Sequence, residues 1–122
     1  MIVTSLRIAA AAAALVVSGT AASAADAEHG KTLYTACLAC HSEKPDSLGP
    51  SLKGVFGRQS ASLEDFRYSN AMKRANLTWD EANLREYIAD PQAKVKGNRM
   101  PFAGIKQPQD ADDIVAYLAT LK

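Results

Sequence analysis

The chain has 122 residues, 14 basic against 13 acidic, and only two cysteines. Its length allows one domain at most. Its charge balance gives no support for nucleic-acid binding, and it carries no polybasic amphipathic helix that would favour a membrane surface.

The first residues do not read as part of that domain. Arg7 is followed by an unbroken apolar run, Ile8 to Val17, which softens through Ser18, Gly19 and Thr20. Ala22-Ser23-Ala24 then supplies the small residues that a signal peptidase reads. The run is too short to span a bilayer, which takes roughly 20 residues. Residues 1–24 are therefore expected to be a cleaved signal peptide, with residues 25–122 as the mature domain in the periplasm. An uncleaved anchor or a buried Ala-rich helix are the other readings. Cleavage after Ala27 also fits the pattern. Removing Arg7 with the leader leaves 13 basic and 13 acidic residues.

Asp26 is placed to cap a helix from about Ala27, with Leu33, Ala36 and Cys37 on one side. Residues 42–62 are rich in Ser, Gly, Pro and charge, with Leu48, Leu52, Val55 and Phe56 as isolated apolar anchors. A short helical piece is possible over 70–75. Thr78-Trp79-Asp80-Glu81 reads as a capping box with Thr78 at the cap, opening a helix through Leu84, Tyr87 and Ile88 that Pro91 stops. Residues 91–107 read as a second loop. The last helix is expected from Pro108, with Asp110, Asp112 and Asp113 near its positive end and an apolar stripe of Ala111, Ile114, Val115 and Leu118. No strand pattern or repeat stands out. Helices joined by such long loops in a small domain imply that the loops pack on a large internal object.

Cys37-Leu38-Ala39-Cys40-His41 is the C-x-x-C-H haem attachment signal. Two thiols one helical turn apart add to the two haem vinyl groups, and the following His lies beneath the iron. A redox dithiol would normally follow a strand. Half a zinc site would have to be completed by His29, in an unusual set. For the sixth iron position the candidates are His29, Met72 and Met100. Met100 lies in a Gly/Pro-punctuated loop, next to Pro101, where core filling explains it poorly. Met72 is better read as packing, and His29 as a solvated helix residue. His41 and Met100 are thus the expected metal ligands.

Beyond this signal, the mature chain resembles the class I cytochrome c family, meaning mitochondrial cytochrome c and its soluble bacterial relatives. The likeness runs through Gly30 and Tyr34, Gly49-Pro50-Ser51-Leu52, Gly54-Val55-Phe56-Gly57-Arg58, Phe66-Arg67-Tyr68-Ser69, Trp79, Leu84-Arg85-Glu86-Tyr87-Ile88, Asp90-Pro91, Met100-Pro101-Phe102-Ala103-Gly104-Ile105 and Ile114-Val115-Ala116-Tyr117-Leu118, in register.

The resemblance implies an all-alpha cytochrome c fold, three main helices plus short helical pieces and long loops wrapping one covalently bound haem c. It implies that His41 donates its other ring nitrogen to the Pro50 carbonyl, and that Arg58, Tyr68 and Trp79 hold the inner haem propionate. Tyr87 would lie near the Met100 sulfur. Leu52, Leu84, Ile88, Phe102 and Leu118 would line the crevice, and Gly30 and Tyr117 would mark the crossing of the first and last helices. Three departures stand out. The loop from His41 to Gly49 is short, Met72 replaces a common polar Asn, and Asn98 replaces a common Thr. The lysine ring of mitochondrial proteins is thinned to Lys31, Lys53, Lys94, Lys96, Arg99 and Lys106.

The function implied is that of a monomeric single-electron carrier, not an enzyme. Its partners would be a membrane cytochrome complex, a terminal oxidase, a photosynthetic reaction centre or a dehydrogenase. No nucleic acid and no stable membrane insertion are expected. A dedicated cytochrome subunit of one periplasmic oxidoreductase is the neighbouring alternative. A haem peroxidase-like enzyme is a further one, and it would need an open sixth site and a distal acid–base group.

Overall fold

Asp26 opens the first helix: its side chain accepts from the N–H groups of Glu28 and His29, and α1 runs Ala27–Leu38. The computed structural model describes residues 3, 5, 8–19 and 23–122. The expected signal peptide lies partly outside these residues, and residues 8–19 are exposed and form no helix. No helix among the described residues is long and apolar enough to cross a membrane.

Helix α2, Asn70–Ala75, is capped by the Ser69 hydroxyl and ends on Asn76 in the left-handed region. Helix α3 spans Glu81–Ala89. Its cap differs from the expected one. Asp80, not Thr78, accepts from the Asn83 N–H at 2.8 Å. Thr78 is committed elsewhere, in an isolated antiparallel bridge with Gln59 that Trp79 N–H to Arg58 O (2.8 Å) and Gly57 N–H to Trp79 O (2.8 Å) flank.

Pro91 also does more than stop a helix. Asp90 closes α3 and at once caps a further short helix, α4, Pro91–Lys94, accepting from Ala93 N–H. Proline suits a first helical position, where its missing N–H costs nothing. The loop expected from residue 91 therefore starts after Lys94. Helix α5, Pro108–Leu118, begins at the expected proline.

The fold is all-alpha. Helix α1 packs on α5, and α3 packs on both α4 and α5. Ile114, Val115, Leu118 and Ala111 of α5 meet Tyr34, Leu84, Tyr87, Ile88, Met72, Trp79, Val55 and Val95 in one core. Tyr34 and Tyr117 pack with ring centroids 5.0 Å apart and planes tilted by 58°.

The first long loop is tied to the rest of the chain by Gly54 N–H to Leu121 O (3.0 Å) and Ser60 N–H to Leu77 O (2.7 Å). Its anchors are unequal. Val55 is buried and Leu52 half-buried, but Leu48 is 81% exposed and Phe56 42%. Leu48 precedes the tight return in which Gly49 N–H meets the Cys40 carbonyl at 2.7 Å, and its side chain is left outside.

Candidate functional site

Helix α1 delivers the two thiols. Its last turn closes with the Cys37 carbonyl accepting from both Cys40 N–H (3.2 Å) and His41 N–H (2.9 Å), so Cys37, Cys40 and His41 leave the helix as one rigid unit. Both thiols are free and half-buried. Burial, and then the neighbouring Cys40, push the Cys37 thiol above its ordinary pKa.

Ser47 Oγ and Gly49 N–H both donate to the Cys40 carbonyl. This short loop brings Pro50 against the imidazole, and His41 Nδ1 lies 2.8 Å from the Pro50 carbonyl oxygen. A carbonyl only accepts, so Nδ1 carries the proton and the lone pair is on Nε2. Burial lowers the His41 pKa, against the raising effect of the Pro50 bond, which keeps the ring neutral and fit to bind metal. Gly49 makes room for the ring: a Cβ there would stand 2.6 Å from His41 Cε1. That cradling role had only one sign in the sequence, a glycine next to Pro50.

Met100 comes from the second loop. It is half-buried and packs on the same core as Cys37, Leu52 and Tyr68. Its N–H donates to Asn98 Oδ1 at 2.7 Å. Trp79 and Tyr87 are buried with ring centroids 5.0 Å apart, and burial pushes the Tyr87 hydroxyl up to about 12. Phe102 is half-buried, and its N–H meets the Met100 carbonyl at 2.8 Å. Arg58 donates to the carbonyls of Ser51 (2.9 Å) and Lys53 (3.1 Å). The Tyr68 hydroxyl accepts from Leu63 N–H.

Met72, one of the three candidates for the sixth position, is 8% exposed and part of the core. His29 is not simply solvated. Its Nδ1 lies 2.7 Å from Oδ2 of Asp113. Asp113, expected to serve the positive end of α5, is buried instead. Its Oδ1 accepts from Asp26 N–H (2.7 Å) and Gln109 Nε2 (2.9 Å).

Two unpaired thiols on one helical turn, a neutral imidazole with a free Nε2 and a thioether on the same core form a donor set that fits haem c. Residues 27–122 match the family model described as cytochrome c. The chain belongs to the cytochrome c family. It is 46% identical over 100 residues to cytochrome c2 of Blastochloris viridis, covering 80% of this chain and 79% of that one. It is 42% identical over 118 residues to cytochrome c2 of Rhodomicrobium vannielii, covering 94% of each. Among solved structures, cytochrome cH from Methylobacterium extorquens matches with a TM-score of 0.74 and 43% identity, over 78% of this chain and 98% of that one. Members of this family carry one covalently bound haem c with its iron.

Proposed function

We propose that this protein is a soluble periplasmic carrier of single electrons whose haem iron is held by His41 and Met100. The observation that carries this reading is the His41–Pro50 hydrogen bond, which leaves Nε2 as the only ring atom able to ligate.

Haem c, when bound, supplies a reversible ferric–ferrous couple. The chain's part is to hold that couple rigidly. Cys37 and Cys40 fix the group to the end of α1. His41 is oriented and kept neutral by Pro50 and burial. The thioether of Met100 favours the ferrous state relative to a second nitrogen ligand, and the apolar core works against the added charge of the ferric state. Arg58, Tyr68 and Trp79 are assigned to the propionate side, and Tyr87 and Phe102 to the pocket wall. With His41 and Met100 both holding the iron, small-ligand turnover would be disfavoured, and the bound group would supply electron exchange with a membrane cytochrome complex, an oxidase, a reaction centre or a dehydrogenase. Cleavage ahead of Asp26 would keep the cap of α1 and the N–H that Asp113 accepts, whereas cutting after Ala27 would delete both.

Spectroelectrochemical titration of the holoprotein is expected to show a reversible one-electron transition. Its ferrous form is expected to bind carbon monoxide slowly, since Met100 must first leave. Immediate carbon monoxide binding would contradict the closed site.

A further inference from the structure

Two amide side chains close the segment between α4 and Met100. Asn98 is only 8% exposed, unusual burial for a polar residue. Its Nδ2 donates to the carbonyls of Pro91 and Val95, each at 2.9 Å, and its Oδ1 accepts from Met100 N–H at 2.7 Å. Gln92, on the exposed side, completes the clasp. Its Nε2 donates to the Asn98 carbonyl at 3.1 Å and its Oε1 accepts from Gly97 N–H at 3.2 Å. Gly97, at φ +91°, supplies the turn that lets the chain fold back within reach.

The chemistry requires an amide at position 98. One planar group must present two donors to Pro91 O and Val95 O while offering an acceptor to Met100 N–H. A carboxylate has no donor and would bury a charge. A hydroxyl has one proton and a shorter reach. The anchor at the far end is firm. Pro91 is among the most buried residues of the chain, and Asp90 caps α4 while closing α3. The Met100 backbone is therefore referred, through one side chain, to the α3–α4 corner.

We propose that Asn98, braced by Gln92, is the positioning residue that keeps Met100 at the sixth coordination site and so keeps small external bases out. This rests on Met100 being the ligand. Asn98 acts through the Met100 backbone and not by touching the iron. Removing its side chain leaves Met100 N–H without its acceptor, while the Pro91 and Val95 carbonyls each lose one of two donors and keep the backbone N–H groups of Val95 and Asn98. The closed arrangement is thereby penalised relative to the open one.

An external base competes with Met100, so its apparent affinity measures the open fraction. Imidazole is titrated into the ferric holoproteins under conditions where circular dichroism shows each fully folded. Asn98→Ala is expected to bind imidazole about tenfold more tightly than the wild type, and Gln92→Ala, which removes only the two outer bonds, about threefold. A purely structural role would lower the unfolding midpoint and leave imidazole affinity unchanged.

Met100→Ala separates the two layers of the argument. If it leaves imidazole affinity unchanged, the ligand assignment itself fails. If it raises the affinity while Asn98→Ala stays within twofold of wild type, the clasp is overturned and the ligand assignment stands. Should Asn98→Ala fail to take up haem, Gln92→Ala decides alone, and an unchanged affinity there overturns the proposal.

Discussion

Gly30 of α1 lies so close to Asp113 of α5 that a Cβ at position 30 would stand 1.9 Å from the Asp113 carbonyl oxygen. The obstacle is backbone on the partner helix, so no side-chain rotation relieves it. Gly30→Ala must push the two helices apart and loosen Ile114, the most buried large residue of the core. The expected loss is about 2–3 kcal/mol in denaturant titration of the ferric holoprotein. An unchanged midpoint would mean that α1 and α5 do not cross at this residue.

Asp113 also fastens the same crossing through its side chain, and this makes stability depend on pH in two opposite ways. The hydrogen bond to Asp113, and then the charges of Asp113, Asp110 and Asp26, raise the His29 pKa. That contribution is full below about 6.5, the unfolded value, and is lost as pH rises through the raised folded value. The Asp26 N–H, and then His29 and Gln109, hold the Asp113 carboxyl below its usual range. Its contribution is present above about 3.9 and is lost as pH falls through the lowered value. The pair therefore stabilises most between these limits. His29→Gln is expected to remove much of the fall in unfolding midpoint between about pH 6 and pH 8. Identical pH profiles for the variant and the wild type would show that the contact does not persist in solution.

Met72 tests how apolar the core is where α2 meets it. It is 8% exposed on α2 and packs with Trp79 and Val55 in the main cluster. Met72→Asn is expected to cost about 1–2 kcal/mol, from lost apolar packing and a buried amide without a partner. Met72→Leu, which keeps the volume, is expected to cost less than about 1.5 kcal/mol and to leave the unfolding slope unchanged. Equal midpoints for Asn and wild type would mean that Met72 contributes no packing.

The features legible in the sequence are those set by neighbouring residues. Asp26 caps α1, Pro108 opens α5, and the apolar stripe Ala111, Ile114, Val115, Leu118 is buried as its spacing predicts. What escaped depends on distant partners. Thr78 carries the local pattern of a helix cap, but its bridge to Gln59 takes it out of that role. Asp113 follows Asp110 and Asp112 one turn into α5, and nothing local marks it as the carboxylate that receives His29 and the Asp26 backbone. Pro91 was legible as a stop, while its second use as a helix start follows from Asp90 serving both helices. At the site, the attachment sequence and His41 are readable from spacing alone. The fit of Gly49 beneath the imidazole and the clasp of Asn98 on Met100 need the loops closed in three dimensions.

The proposed coordination of iron by His41 and Met100 underlies the electron-carrier reading, and one spectrum tests it most directly. The ferric holoprotein near neutral pH is expected to show a weak near-red absorption band from iron–thioether bonding, and Met100→Ala is expected to abolish it while the protein keeps its covalently attached haem. A wild-type protein without that band, or a Met100→Ala protein that retains it, would contradict the assignment.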